Sequence, residues 1–378
     1  MEKIFKRLHE VNDDPYKYLS EWKERNKQPI IGIFPMHIPE EIIHASGMMP
    51  VILWRSNEPV TIGHAHISPA NCGLARSVID DLVKGKLSFM DGMVTDPLCL
   101  QLRGMTYIID MNSKFSFYKN LNLPVNIKSD LSKDYLQQEL ESLISAAGKF
   151  SGHRITDESL KNSIHIYNKH RGLLRQIYQL RRDKPGIIGI KDIIAVVQSG
   201  MLMDKQEHIT LMEELVSLLE RKKSPNEDKP KVVLTGGLCF KPQGDVLEII
   251  ESSGAVIVDD DLYTGYRYVG VDAGLQEKPL QALMGRYLDN SIIDPTKVDW
   301  EVDWADYVIE MVNKNNAKGV VSVLMKYCPP HMTYYPDIKR KLIKNGIPEV
   351  MLEIEHEVLS FEQVRTRVES FVNIIRGG

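Results

Sequence analysis

Four short segments in the last third of the chain, KVVLTG (231–236), AVIVD (255–259), GVVSVLM (319–325) and EVMLEI (349–354), are dense in Val, Ile, Leu and Met. Runs of this kind lack the apolar–polar alternation of a half-solvated strand. A strand without a polar face must be covered on both sides, which is the situation of a parallel sheet flanked by helices. Helical spacing fills the intervals, from about 244 to 253, around WADYVIEMVNKN, near YPDIKRKLIKNG and in the final SFEQVRTRVESFVNIIR. The alternation predicts a doubly wound parallel sheet over residues 229–378.

The same rhythm, in shorter pieces, occupies residues 28–149. PIIGIFP, MPVILW, FMDGMV and TYIID read as strands, and PEEIIHASG reads as a helix. Between 150 and 228 the strand signal gives way to long helical patterns such as DESLKNSIHIYNKHRGLLRQIYQLRRD, closing in the charged, Pro-containing KKSPNEDKPK that suits an exposed boundary. Residues 1–27 alternate charge and apolar side chains at helical spacing. A chain of 378 residues is long for one core. The expected class is α/β: an N-terminal helical segment (1–27) and two doubly wound parallel-sheet domains (28–149 and 229–378) joined by a helical connector (150–228).

A net charge of −4 gives no reason to expect nucleic acid as a partner. The N-terminal segment lacks the apolar run of a signal peptide. The most apolar window, PGIIGIKDIIAVV, is interrupted by Lys191 and Asp192 before it reaches bilayer length. These features predict a cytoplasmic protein with neither membrane nor nucleic acid as partner. Neither GxGxxG nor GxxxxGK[ST] occurs, so any ATP that drives the chemistry is expected to be hydrolysed on another subunit.

Four cysteines are present, Cys72, Cys99, Cys239 and Cys328, with no CxxC spacing, which leaves a zinc ribbon or a thioredoxin-type pair unsupported. In open parallel sheets ligands bind outside the carboxyl ends of the strands. Cys239 in GGLCFKP, the run Asp259-Asp260-Asp261, Cys328 in KYCPPH, and Glu353 with Glu355 each follow one of the four strands of the second domain. Cys99 follows a strand in DGMVTDPLC. Cys72 stands where a helix opens in SPANCGLARSVID, a place whose free N–H groups favour a thiolate. On the residues alone two readings stay open: ligands of an iron–sulfur cluster, or small buried hydrophobes.

The motifs IPEEIIHASGMMPV, NCGLARS, DGMVTDPLCLQLR, VIVDDDLYTGYRY, KYCPPH and QVRTRVESF, in that order, resemble the 2-hydroxyacyl-CoA dehydratase and benzoyl-CoA reductase superfamily from about residue 30 onward. The resemblance implies a [4Fe–4S] cluster in a cleft between two α/β domains. Its ligands would be Cys72, Cys99 and Cys328, with one position open to substrate or water. Pro329 and Pro330 would fix the loop that presents Cys328. Cys239 is a fourth ligand or a neighbour of the cluster, and its loop looks like that of the reductase branch. Four cysteines are too few for a double-cubane cluster.

Arg76 and Arg103, each four residues beyond a cysteine, return to the ligand's side if their segments are helical. There they would compensate an anionic cluster or bind a CoA phosphate; otherwise they are surface charges. The acidic run, with Asp260 toward the cofactor, needs a counter-charge such as Arg267 or Lys241, or else it caps a helix and faces water. Glu41 or His37 would move a proton, unless the segment is simply a first helical turn.

The implied enzyme is benzoyl-CoA reductase-like. An iron–sulfur subunit would pass low-potential electrons to an aromatic CoA thioester and yield a cyclic diene. A homologous cluster-bearing subunit, ATP-hydrolysing activator subunits and a ferredoxin or similar electron donor would be its partners. The alternative is a 2-hydroxyacyl-CoA dehydratase subunit that loses water through a ketyl radical anion. An electron relay without substrate, and a clusterless scaffold, complete the possibilities.

Overall fold

Each half of the chain folds into a four-stranded parallel sheet, and the two sheets share one strand order. In the computed structural model, which describes residues 1–53, 58–225, 228–237, 246–276, 278–355 and 361–377, the first sheet contains β1 (Ile30–Phe34), β2 (Met49–Ile52), β3 (Gly92–Thr95) and β4 (Phe117–Asn120), arranged β2-β1-β3-β4. The second contains β5 (Lys231–Gly236), β6 (Val256–Asp260), β7 (Gly319–Met325) and β8 (Glu349–Ile354), arranged β6-β5-β7-β8. All adjacent strands are parallel. Every residue of β1 and of β7 is buried, as unbroken apolar strands require.

Helices α1 (Glu2–Asp13) and α2 (Pro15–Asn26) precede the first sheet, whose strands alternate with α3 (Glu40–Ala45), α4 (Gly73–Val83) and α5 (Leu100–Asn112). Then come α6 (Asp130–Ser151), α7 (Asp157–Asp183), α8 (Ile190–Leu202) and α9 (Lys205–Glu220). The second sheet carries α10 (Val246–Ser252), α11 (Tyr266–Val269), α12 (Pro279–Leu288), α13 (Trp304–Lys314), α14 (Pro329–Lys344) and α15 (Glu362–Gly377). No helix of the described residues is long and apolar enough to cross a membrane.

The order 2-1-3-4 puts a switch point between β1 and β3, and another between β5 and β7. There the chain leaves neighbouring strands in opposite directions and opens a crevice. Helix α7 joins the halves. It starts with a capping box, in which the Thr156 side chain accepts from Ser159 N–H and the Ser159 hydroxyl accepts from Thr156 N–H. It packs against α3, α9, α12 and β6. One apolar cluster continues from the first sheet into the second, and a smaller one, including Val233, Trp304 and Leu342, covers the outer face of the second sheet.

Two expectations need correction. TYIID (106–110) is part of α5, not a strand: Leu102, Met105, Thr106 and Ile109 fall at helical spacing and bury one face. The fourth strand is instead FYKN, a half-buried edge strand whose Lys119 and Asn120 hide it from an apolar-run criterion. Pro329 and Pro330 do not merely fix a loop; they open α14, where a missing N–H costs no hydrogen bond. Cys239 and Lys241 lie outside the described residues.

Candidate active site

Cys72, Cys99 and Cys328 occupy one structural position three times: each is the residue immediately before a helix, at the head of α4, α5 and α14. Cys99 and Cys328 follow β3 and β7, so both stand at switch points. None forms a full side-chain cap, but backbone N–H groups lie close to each sulfur: Ala75 and Leu74 at Cys72, Leu102 and Gln101 at Cys99, His331 at Cys328. Burial pushes the Cys72 thiol up to about 11 and the Cys328 thiol up to about 12. Cys99 is also raised, again mainly by burial. Cys72 is further raised by Cys99, and Cys328 by both other cysteines, so the three sulfurs share one field. The helix-start N–H groups at Cys72 act in the expected direction, but burial outweighs them, and the thiol on its own is protonated at neutral pH.

The surroundings of Cys328 follow from donor arithmetic. His331, one helical turn on, has Nδ1 3.2 Å from the sulfur, and its Nε2 is 3.3 Å from Arg267 Nη1. A guanidinium only donates, so Nε2 accepts and Nδ1–H points at sulfur. Burial pushes His331 down to about 3, in keeping with a neutral ring. Gly237 approaches closely: a Cβ there would sit 3.4 Å from Cys328 Sγ and 3.0 Å from the His331 ring. Arg267 also pairs with Asp261 at 3.1 Å, whose carboxylate accepts from Trp304 Nε1, Thr235 Oγ1 and Gly236 N–H as well. Among the described residues, no three His, Cys, Asp or Glu side chains converge as a single metal ion would require.

Beside this cluster lies a pocket of about 50 Å³ between the two halves. Leu123, Leu136, Leu140 and Leu283 contribute an apolar wall, and His37, Arg267, Arg286, Asp294 and Lys297 contribute the polar one. His37 takes a left-handed conformation just past β1 (φ 73°), and its Nε2–H donates to Asp294 at 3.0 Å. Asp294 also accepts from the Tyr263 hydroxyl, from Thr296 N–H at 2.7 Å and from Thr296 Oγ1 at 2.6 Å. Burial pushes His37 down to about 4, so the ring is neutral at pH 7. Burial likewise pushes the Lys297 amine down to about 8. Arg286 is lowered to about 10 by burial and the nearby Arg171 charge. Asp96, three residues before Cys99, is buried with Oδ2 unpartnered, and burial pushes its carboxyl up to about 7.

The structure brings His37 and Arg267 into the pocket, and Arg76 beside Cys72, where the guanidinium is buried, donates to Asn71 O at 3.0 Å and lowers the thiol's pKa. Arg103 points from α5 to solvent. Glu41 is buried outside the pocket lining, 2.8 Å from Arg171. All three aspartates of the acidic run are buried rather than facing water. Asp259 accepts from Arg182 Nε and Nη2, each at 2.8 Å, and Asp260 takes Arg181 at 3.0 Å and the Tyr178 hydroxyl at 2.9 Å. Asp260 therefore faces α7, and Asp261 is the one turned toward Arg267. Sequence reasoning passed over Asp96 and His331, although both stand three residues from a cysteine. It had no signal for Arg286, Asp294 or Lys297, which come from α12 and the irregular chain after it.

Residues 35–375 match the family described as 2-hydroxyglutaryl-CoA dehydratase, D-component. The chain is 27% identical to the (R)-phenyllactyl-CoA dehydratase beta subunit of Clostridium sporogenes, covering 98% of each chain. It is 26% identical to one of the subunits of benzoyl-CoA reductase from Thauera aromatica, covering 94% of this chain and 93% of that one. Identity is also 26% to the (R)-2-hydroxyglutaryl-CoA dehydratase subunit beta of Acidaminococcus fermentans, over 97% and 98% of the two chains. These relatives are enzyme subunits that align from end to end, and the chain belongs to the 2-hydroxyglutaryl-CoA dehydratase D-component family.

Proposed function

We propose that this chain is a cluster-bearing subunit of a cytoplasmic acyl-CoA enzyme, holding a [4Fe–4S] cluster on Cys72, Cys99 and Cys328 and serving the loss of water from a 2-hydroxyacyl-CoA thioester. What supports the reading is that Cys72, Cys99 and Cys328 each head a helix and lie within electrostatic reach of one another, near a pocket lined by polar groups and leucines. The donor set fits the group: three thiols, backbone N–H groups at each sulfur, the His331 Nδ1–H directed at Cys328, and a glycine whose missing Cβ leaves room there. Thiols pushed up to about 11 and 12 ionise only beside positive charge, which iron provides.

When bound, the cluster supplies a low-potential electron to the thioester. The chain's own groups do the rest. Arg76 and, through His331, Arg267 offset the negative charge of thiolate-bound iron. His37 is locked as a donor to Asp294 and positions the pocket's edge rather than moving a proton. A departing hydroxyl needs a proton; the Asp96 carboxyl, raised to about 7 with Oδ2 unpartnered, can hold one near neutral pH, but it is buried behind the residues that line the pocket and would act only through them. Glu41, locked to Arg171, is not offered that role. Aromatic reduction is the second reading, favoured by the four leucines that could face a ring. The partners in either case are a homologous cluster-bearing subunit, ATP-hydrolysing activator subunits and a ferredoxin-like donor.

The test is anaerobic purification with the neighbouring subunits, followed by counts of iron and of electrons used per thioester converted. About four irons per chain, falling sharply in Cys72→Ser, Cys99→Ser and Cys328→Ser, together with many turnovers per electron, is the expected outcome. Two electrons per turnover would shift the assignment to reduction, and iron unaffected by all three substitutions would remove the cluster.

A further inference from the structure

The three sulfurs are not equally served. Cys72 and Cys99 have backbone N–H groups at the heads of α4 and α5. Cys328 has the ring of His331 as well, and among the described residues this is the one side chain that hydrogen-bonds a cysteine sulfur. A relay stands behind that ring: Cys328 Sγ to His331 Nδ1 at 3.2 Å, His331 Nε2 to Arg267 Nη1 at 3.3 Å, and Arg267 Nη2 to Asp261 Oδ2 at 3.1 Å. Asp261 is fixed in turn by Trp304 Nε1 at 2.6 Å, Thr235 Oγ1 at 2.9 Å and Gly236 N–H at 3.2 Å. His331 is 1% exposed and meets the rings of Trp304 and Tyr263 edge-on, with centroids 5.1 and 6.2 Å away. The Arg267 guanidinium lies over the same two rings. Neither His331 nor Arg267 can turn without displacing a buried aromatic side chain.

The charges in this relay cancel. Asp261 neutralises Arg267, so little net charge reaches Cys328; what reaches it is a direction. With Nε2 engaged by a donor, the one ring proton stays on Nδ1 and points at sulfur. Without Arg267 the imidazole is free to carry that proton on Nε2 and turn a lone pair to the thiolate. We propose that Asp261, Arg267 and His331 form a tautomer lock, whose task is to hold one N–H on the Cys328 thiolate and so set the potential at which the bound cluster accepts its electron. The inference rests on the cluster reading above. His331 is thereby a positioning residue. An added electron makes the ligand sulfurs more negative, a hydrogen bond to sulfur strengthens with that charge, and the reduced form is favoured.

The test uses the assembled enzyme without ATP or substrate, reduced stepwise with titanium(III) citrate, and reads the cluster's EPR signal against potential. The signal that Cys328→Ser removes marks this chain's site. His331→Phe should make reduction about tenfold less favourable, a midpoint lower by about 59 mV for one electron, with iron content unchanged. His331→Asn, whose amide nitrogen can stand where Nδ1 stands, should recover most of the difference. A merely structural histidine would leave the midpoint where it was. A second measurement needs no variant: with histidine carrying the heavy nitrogen isotope, pulsed EPR of the reduced native enzyme should show one histidine nitrogen weakly coupled to the cluster spin. Absence of that coupling, or an unchanged midpoint in His331→Phe with iron retained, overturns the lock. If His331→Phe loses its iron, the coupling in the native enzyme and the midpoint of His331→Asn decide. If the native chain holds no iron, the lock falls with the cluster reading, and the iron count tells that failure from failure of the lock alone.

Discussion

Burial alone would push the Glu41 carboxyl up, yet the Arg171 guanidinium 2.8 Å away holds it below the ordinary carboxylate range. A group whose folded pKa is depressed stabilises the protein fully above its unfolded pKa and loses that contribution as the pH falls through the folded value. Glu41→Gln leaves Arg171 charged and buried with, among the described residues, only Asp272, 3.5 Å away and partly exposed, as a carboxylate in ion-pair range. Urea unfolding at pH 7 should show a loss of about 3–5 kcal/mol. Its acid sensitivity below the ordinary carboxylate range should flatten relative to the native protein. A loss under about 1 kcal/mol would contradict the account, and a fall in turnover with stability intact would return Glu41 to the catalytic candidates. The same arithmetic explains the acidic run. Three consecutive aspartates are tolerated inside because Arg182, Arg181 and Arg267 each take one, a pairing that a single sequence cannot display.

At the scale of elements, β5, β6 and β7 were legible because composition and burial agree along nearly their whole length, as in β7, where all seven residues are buried, whereas β8 at the sheet's edge alternates buried with partly exposed residues despite its apolar composition. Helix α5 was not, since a short β-branched stretch inside a helix mimics a strand until its helical-spaced neighbours are counted. The three thiols could be placed at strand ends and helix starts from sequence, whereas the cations of the pocket come from α12 and the chain following it, where no periodicity marks them. The closeness of β5 and β7 is carried by a glycine. Gly236 has φ 136°, and a Cβ there would sit 2.0 Å from Val323 O, a backbone atom fixed by the ladder. Gly346 also has a positive φ, 66°, but nothing lies within 4 Å of its Cβ direction. Gly346→Ala should therefore cost only the conformational penalty, about 1–2 kcal/mol. Gly236→Ala adds a clash that cannot relax and should cost more than about 3 kcal/mol. Similar denaturation midpoints for the two variants would mean that the strands are free to separate.

Across the whole molecule, the two sheets repeat one topology yet do not stand alone. Helix α7, 27 residues and about 40 Å long, pairs Arg171 with Glu41 on the first half and Arg181 with Asp260 on the second, and the main apolar cluster runs beneath both sheets. The parallel bridge between Asn126 and Val298 and the Tyr287 hydroxyl on Pro124 O at 3.0 Å tie the pocket's rims together. Breaking one half would expose the other's apolar surface and strand buried arginines, which costs more than a single half can keep by remaining folded. The expectation is one cooperative unfolding unit in place of two domains that melt separately on either side of residues 150–228. Hydrogen exchange followed by mass spectrometry across a urea series tests this with peptides from β1 and β7 as reporters. Loss of protection at the same urea concentration supports the single unit. If the β7 peptides open at clearly lower urea than the β1 peptides, the halves are independent and α7 belongs energetically to the first. In that case the site between them assembles only after both have folded, and Arg181→Met should leave the β1 transition unmoved.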